Sequence, residues 1–203
     1  MTMASPKPLI LASASATRKR MLTHAGVVVD TFAGAVDEEA IKESLMAGTA
    51  LPRDIADCLA EAKARSVSAA HPDRIVLGAD QVLVQGGRVF SKAQTVNQAH
   101  EILCSLSGKT HQLISAAVIY DAGQPVWRAV SSANLSVRPL SNEFIDDYLA
   151  ALGDDAFWSV GCYQVEGLGA QLFNKIDGDY FTILGLPLLP VLDFLRGRGM
   201  VLS

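Results

Sequence analysis

The sequence predicts an α/β protein in which a mixed, twisted sheet is flanked by helices. Short apolar runs with strand character occur among amphipathic segments with helical spacing, and the two kinds do not alternate as strictly as in a doubly wound parallel sheet. With 50% hydrophobic and 19% charged residues, a chain of 203 residues can bury a substantial core. We expect one globular domain over residues 1–203, and two lobes sharing a sheet would also fit.

The N-terminal half begins with a strand, a loop and a helix. The apolar run from Leu9 to Ala12 indicates the strand, small polar residues form the loop, and the helix after it ends at Gly26. Apolar residues at helical spacing predict a long amphipathic helix from Pro52 to Ala70. A buried strand is expected from Arg74 to Val84, and Gln85-Gly86-Gly87-Arg88 turns it into a hairpin.

The C-terminal half contains further helical and strand patterns bounded by capping and turn residues. Thr95 is expected to cap a helix that stops at Gly108. The expected elements are a helix from 95 to 106, strands at 112–120 and 126–137, a helix from 141 to 152, a hairpin of 170–176 and 180–184 around Asp177-Gly178-Asp179, and a closing helix from 188 to 196.

Charge and cysteine content disfavour several classes of protein. The formal net charge of -4 argues against a nucleic-acid partner, because such binding depends on many Lys and Arg contacts to phosphate. Cys58, Cys104 and Cys162 form no Cys-x-x-Cys pattern, so we expect neither a disulfide framework nor a zinc knuckle, and a cytoplasmic location. The apolar tail from Phe181 to Leu195 is shorter than the ~20 residues that span a bilayer, so no membrane attachment is expected.

Asp80 is the most suggestive single residue for chemistry. A carboxylate that closes an apolar strand is costly to desolvate unless it binds a metal, pairs with a cation or handles a proton. The structural alternative is a turn or capping aspartate. Asp37-Glu38-Glu39 forms a second acidic cluster that could supply Mg²⁺ ligands, and its alternative is a solvated helix start.

Three cations on separate elements are candidates for binding a polyphosphate: Arg18, Lys63 and Lys92. Arg18 lies near a helix start, where backbone amides and hydroxyl groups already favour an anion. Each cation taken singly is ordinarily a surface charge, so only their convergence would indicate a site. Ser107-Gly108-Lys109-Thr110 looks like the end of a Walker A loop, but it follows a helix and lacks the earlier glycine.

A series of short motifs occurs in order along nearly the whole chain. The motifs are Leu9-Ile10-Leu11-Ala12-Ser13-Ala14-Ser15 with Arg18, Asp37-Glu38, Glu61-Ala62-Lys63-Ala64, Gly78-Ala79-Asp80, Lys92, Leu106-Ser107-Gly108-Lys109-Thr110-His111, Glu166-Gly167-Leu168-Gly169-Ala170, Ile176-Asp177-Gly178-Asp179-Tyr180 and Gly185-Leu186-Pro187. Each motif is weak alone, but the ordered set at this spacing is specific, and it resembles the Maf family.

The resemblance implies a fold of the inosine triphosphate pyrophosphatase type, a homodimer, and Mg²⁺- or Mn²⁺-dependent release of pyrophosphate from nucleoside triphosphates. Under this resemblance Asp80 accepts the proton of the attacking water, and Glu38 holds the metal together with Asp80. The phosphates would be bound by four residues: Ser13, Arg18, Lys63 and Lys92.

Three positions bear on the preferred base. Gln81 after the aspartate and Glu166 before the late glycine are similar to the branch acting on 7-methyl-GTP, whereas the dTTP and UTP branch has Thr and Gln there. A carboxylate suits the N1-H and amino group of guanine. Thr17 departs from both branches, since the 7-methyl-GTP branch carries Trp and the family pattern Arg. Ser91-Lys92-Ala93 departs from the usual Gly-Lys-Pro, so a non-hydrolysing nucleotide-binding regulator linked to cell division stays an alternative, as does a dTTP/UTP pyrophosphatase.

Overall fold

The computed structural model describes residues 7–202, and these form two compact units. The first unit comprises 7–81, 115–131 and 185–202, and the second comprises 82–114 and 132–184. Three strands contribute residues to both units: Val76–Gln85, Thr110–Asp121 and Gln124–Val137. The helices are α1 (Ala16–His24), α2 (Glu38–Ala47), α3 (Pro52–Ala70), α4 (Val96–Leu106), α5 (Asn142–Leu152), α6 (Tyr180–Ile183) and α7 (Leu188–Gly197). The strands are β1 (Leu9–Ala12), β2 (Val29–Thr31), β3 (Val76–Gln85), β4 (Arg88–Phe90), β5 (Thr110–Asp121), β6 (Gln124–Val137) and β7 (Phe173–Asp177), and two 3₁₀ turns lie at Gly153–Phe157 and Leu168–Leu172.

The sheet is mixed. Its strand order is β2-β1-β3-β5-β6-β7, with β4 also paired to β3. β1 pairs in parallel with both β2 and β3, whereas β4 is antiparallel to β3 and β7 is antiparallel to β6. The prediction of a mixed α/β protein with helices beside the sheet is therefore confirmed.

The first unit is built around β1 and the helix α3. All four residues of β1 are buried, which explains why Leu9 to Ala12 is continuously apolar, as is typical of a parallel strand covered on both faces. The helix α3 buries Ile55, Leu59 and Val67 on one face. Its predicted bounds match the structure, with Pro52 in the first turn where a missing N–H does no harm.

The second unit has its own hydrophobic core. Buried side chains of α4 and α5, such as Leu103 and Ile145, pack with Leu135 of β6 in one cluster. Both helices begin where the sequence places a capping side chain. The Thr95 hydroxyl accepts the Gln98 N–H at 3.2 Å, and Ser141 caps α5 in the same way.

The predicted hairpin at 170–184 is wrong in its second half. Phe173–Asp177 is a strand, but Tyr180–Ile183 is a helical turn. The Asp179 carboxylate accepts hydrogen bonds from the Thr182 N–H at 2.7 Å and from its hydroxyl at 2.9 Å, so this residue acts as a helix cap and not as a turn residue between strands. The sequence pattern also gave no prediction for β2 or for the body of α2.

Among residues 7–202, every helix lacks the combination of length and apolar character that a membrane span requires.

Candidate active site

The turn between β1 and α1 presents hydroxyl groups and backbone amides in the first unit. Ser15 is the N-cap of α1, and its hydroxyl accepts the Arg18 N–H at 3.3 Å. The Ser13 hydroxyl accepts the Ser15 N–H at 3.2 Å and is almost fully buried. A helix N-terminus with such donors favours a negatively charged ligand.

The Arg18 guanidinium is buried and fixed by three hydrogen bonds to neutral oxygen atoms. Nε donates to the Gly185 carbonyl at 2.7 Å, and Nη1 donates to the Ala79 carbonyl at 2.9 Å and to the Ser13 hydroxyl at 3.2 Å. Burial lowers the pKa of Arg18, and the negative charges of Asp80 and Glu38 act against that shift. Because arginine stays protonated in proteins, this corner of the site carries a permanent positive charge.

Gly78 allows α3 to approach β3 closely. A Cβ atom at this position would lie 2.1 Å from the Ala60 carbonyl oxygen and 2.7 Å from the Ala64 nitrogen, so only glycine fits. Lys63 lies on the same turn of α3, between Ala60 and Ala64, and the close approach brings it to Asp80, two residues after Gly78 on β3.

Lys63 joins two carboxylates from different elements. Its Nζ lies 2.6 Å from Asp80 Oδ1 and 2.8 Å from Glu38 Oε2. The Lys63 and Asp80 side chains are only 11% and 10% exposed, while Glu38 is 53% exposed. Glu38 is the first residue of α2, which starts there because the Asp37 carboxylate accepts the Ala40 N–H at 3.0 Å. We call Glu38, Lys63 and Asp80 the acid–lysine cluster.

The acid–lysine cluster suits a divalent cation through its donor chemistry. Two carboxylates converge on one positive charge, and Mg²⁺ is commonly held by one or two carboxylates while waters and substrate phosphates complete its shell. Within residues 7–202, no group of three or more His, Cys, Asp or Glu side chains is arranged to hold a metal ion.

Gln81 is directed differently from its neighbour Asp80. Successive side chains of a strand point to opposite faces, and the Gln81 amide donates to the hydroxyl of the fully buried Ser115 at 3.1 Å. Thr17 is half-buried in the first turn of α1.

The remaining site candidates, Lys92 and Glu166, belong to the second unit, and both are exposed. Lys92 follows β4, and Glu166 precedes the 3₁₀ turn at Leu168–Leu172. Within the first unit, the structure brings Glu38, Lys63 and Asp80 together and joins Arg18 to Ser13.

Sequence reasoning assigned no role to three residues that shape this region: Gly78, Ser115 and Gly185. Gly78 had a usable signal, since an isolated glycine inside a strand pattern indicates a close backbone approach. Ser115 is one small residue in an apolar strand and gave no signal. The partner of Gly185 lies 167 residues away, beyond the reach of any local pattern.

Comparison with known proteins agrees with the ordered motifs. The family model for Maf-like proteins matches residues 8–198. The chain is 50% identical over 192 residues to the "Nucleoside triphosphate pyrophosphatase" of Caulobacter vibrioides, covering 95% of this chain and 96% of the relative. It is also 50% identical over 196 residues to the "7-methyl-GTP pyrophosphatase" of Rhizobium meliloti, covering 96% and 98%.

Among solved structures, the Staphylococcus aureus Ham1 protein aligns with a TM-score of 0.41 and 12% identity, covering 95% of this chain and 100% of that one. The match of the family model over residues 8–198, with relatives at 50% identity along almost their entire length, shows that this chain belongs to the Maf family.

Proposed function

We propose that this protein is a nucleoside triphosphate pyrophosphatase that hydrolyses the bond between the α and β phosphates. The observation that carries the proposal is the acid–lysine cluster beside the buried Arg18, which combines a candidate base with fixed positive charge. Relatives at 50% identity bear the names nucleoside triphosphate pyrophosphatase and 7-methyl-GTP pyrophosphatase, which supports the same reaction class here.

In the proposed mechanism, Asp80 accepts a proton from the water that attacks the α phosphorus in line with the leaving group. The new bond forms between the water oxygen and phosphorus, the bond to the bridging oxygen breaks, and pyrophosphate leaves with the electron pair. The Lys63 ammonium is hydrogen-bonded to Asp80, so it both orients this carboxylate and lies within reach of phosphate oxygens beside it.

Phosphate binding is assigned to Ser13, Arg18, Lys63 and Lys92. The Ser13 hydroxyl accepts hydrogen bonds from both Arg18 and the Ser15 N–H, so its own proton is available for a phosphate oxygen. Arg18 supplies a fixed cation near Asp80, because its guanidinium donates a hydrogen bond to the carbonyl of Ala79, the residue before Asp80. The assignment of Lys92 rests on the family resemblance alone.

Glu38 and Asp80 are the residues that would hold a divalent metal, Mg²⁺ or Mn²⁺. When bound, such an ion screens the negative charge of the phosphate oxygens. Removal of metal with a chelator should abolish hydrolysis, and readdition of Mg²⁺ should restore it.

The preferred base is proposed to be a methylated guanine, from the similarity of Gln81 and Glu166 to the 7-methyl-GTP branch. The hydrogen bond from Gln81 to Ser115 holds the amide in one orientation, which is a requirement for selecting one base edge. Sequence identity does not distinguish a general nucleoside triphosphate pyrophosphatase from a 7-methyl-GTP pyrophosphatase, because relatives of both names are 50% identical to this chain. We further propose a homodimer, as the family resemblance implies, and a cytoplasmic location, from the pattern of the cysteines. Light scattering of the purified protein tests the dimer.

A nucleotide panel with Mg²⁺ tests the proposal. Methylated, purine and pyrimidine triphosphates should yield monophosphate and pyrophosphate, with 7-methyl-GTP turned over fastest. Asp80→Asn should reduce turnover about 10²-fold or more, because a positioned base is lost while the shape of the site is kept. Unchanged turnover by Asp80→Asn would remove Asp80 from the mechanism. Tight triphosphate binding in calorimetry with no product over hours would instead favour a regulatory nucleotide-binding protein.

A further inference from the structure

The Arg18 guanidinium is a buried cation whose hydrogen bonds from Nε and Nη1 all go to neutral acceptors. These are the Gly185 carbonyl, the Ala79 carbonyl and the Ser13 hydroxyl. Neutral acceptors fix the orientation of the guanidinium, while the negative charges of Asp80 and Glu38 act on it through space and not through hydrogen bonds. A guanidinium held in this way is prepared to receive a phosphate group, and its usefulness depends on how accurately it is held.

Gly185 makes the shortest of these hydrogen bonds, at 2.7 Å, and has an unusual backbone conformation. Its φ angle is +99°, in the region that favours glycine, and its carbonyl accepts the hydrogen bond from Arg18 Nε. A Cβ atom on Gly185 would lie 3.3 Å from Nη2 and 3.4 Å from Nε of the same guanidinium. Gly185 therefore supplies a hydrogen-bond acceptor, and its lack of a side chain leaves room for the guanidinium.

We propose that Gly185 is a positioning residue for the pyrophosphatase reaction, which holds the Arg18 guanidinium in the orientation that binds the substrate's phosphates. This inference rests on the proposed function. Gly185 contacts Arg18, and in this role it acts through the guanidinium. The short segment before α7 thereby completes a phosphate-binding corner whose other parts come from the β1–α1 turn and from β3.

The chain offers a matched control for this proposal. Gly199 also has a positive φ angle, +66°, and belongs to the same unit, but a Cβ there would meet nothing within 4 Å. Gly185→Ala and Gly199→Ala both strain the backbone, and only the former places an atom against Arg18. Comparison of the two variants tests the contact with the guanidinium, and the Arg18→Lys background separates that contact from the greater backbone strain at the +99° φ angle of Gly185.

The experiment measures kcat and KM for a nucleoside triphosphate, and the affinity for inorganic pyrophosphate by calorimetry, in both variants. Gly185→Ala should reduce kcat/KM by about 10- to 100-fold and weaken pyrophosphate binding by about 10-fold, whereas Gly199→Ala stays within about 3-fold of the parent protein. In an Arg18→Lys background, adding Gly185→Ala should lower kcat/KM by less than a further factor of about 3, because the guanidinium that the new methyl group displaces is already absent.

Equal kinetic and binding losses in the two variants, or a full further loss in the Arg18→Lys background, would overturn the role of Gly185 while leaving the pyrophosphatase activity in place. Absence of hydrolysis by the parent protein would instead remove the proposed function, and the pyrophosphate titration would still report on Gly185. A parent protein that binds no pyrophosphate contradicts the inference as well. If Gly185→Ala does not fold, Gly185→Asn serves, because asparagine tolerates positive φ better and retains the Cβ atom.

Discussion

Replacing Gly78 with alanine should separate Lys63 from Asp80 and impair catalysis without touching either residue. The added Cβ would lie 2.1 Å from the Ala60 carbonyl oxygen, whereas an ordinary contact between such atoms is at least 3.4 Å. To make room, α3 must move away from β3 by about 1 Å. A misplacement of about 1 Å in a site of this kind costs about 10²-fold in rate, and overpacking costs about 1–3 kcal/mol of stability.

The assay for Gly78→Ala combines kcat/KM with a thermal or urea unfolding curve. Gly197→Ala is the control, since a Cβ at the end of α7 meets nothing within 4 Å and should change stability by less than about 0.5 kcal/mol. We expect Gly78→Ala to lose about 10²-fold in kcat/KM while the folded protein persists. A Gly78→Ala variant as active and as stable as Gly197→Ala would refute the idea that this close approach sets the geometry of the acid–lysine cluster.

Three further perturbations test separate parts of the structure. Lys63→Met should lower the free energy of unfolding by about 3 kcal/mol, because Asp80 is left buried without its cation. A denaturant titration measures this loss, and adding Asp80→Asn to the Lys63→Met variant should recover part of it. His111 is 2% exposed, and burial lowers its pKa from 6.5 to about 4. The folded state therefore binds this proton less readily than the unfolded state does. The free energy of unfolding should fall by up to about 3 kcal/mol as the pH drops from 6.5 through 4. Urea titrations at several pH values measure this slope, and a His111→Gln variant with the same slope would exclude His111 as its source. Asp179→Ala should cost about 1 kcal/mol through the lost cap on α6, whereas a neutral result would mean that the hydrogen bonds to Thr182 add little.

The sequence predicted the elements whose ends are determined locally. The helices α4 and α5 begin directly after Thr95 and Ser141, because each of these side chains accepts a hydrogen bond from the amide three residues further on. The short strand β2 was missed because Val29–Thr31 owes its conformation to pairing with β1, and two of its three residues are exposed. At residues 180–184 the apolar and aromatic residues favoured a strand, but the Asp179 side chain caps this segment and stabilises a helical turn.

The candidate site was predictable in composition but not in arrangement. Asp80, Lys63, Glu38 and Arg18 came from ordered motifs, yet no pattern in the sequence states that one ammonium joins the two carboxylates. That arrangement depends on tertiary packing, above all on the contact between α3 and β3 at Gly78. The carbonyl groups of Ala79 and Gly185 are backbone atoms, so side-chain reasoning could not identify them as the acceptors of Arg18.

Hydrolysis of a nucleoside triphosphate in ¹⁸O-labelled water, followed by mass spectrometry of both products, tests the central claim most directly. If water activated by Asp80 attacks the α phosphorus, the label appears in the nucleoside monophosphate and pyrophosphate stays unlabelled, and Asp80→Asn slows the formation of both products equally. Label in the pyrophosphate, or products that are nucleoside diphosphate and orthophosphate, would contradict the account.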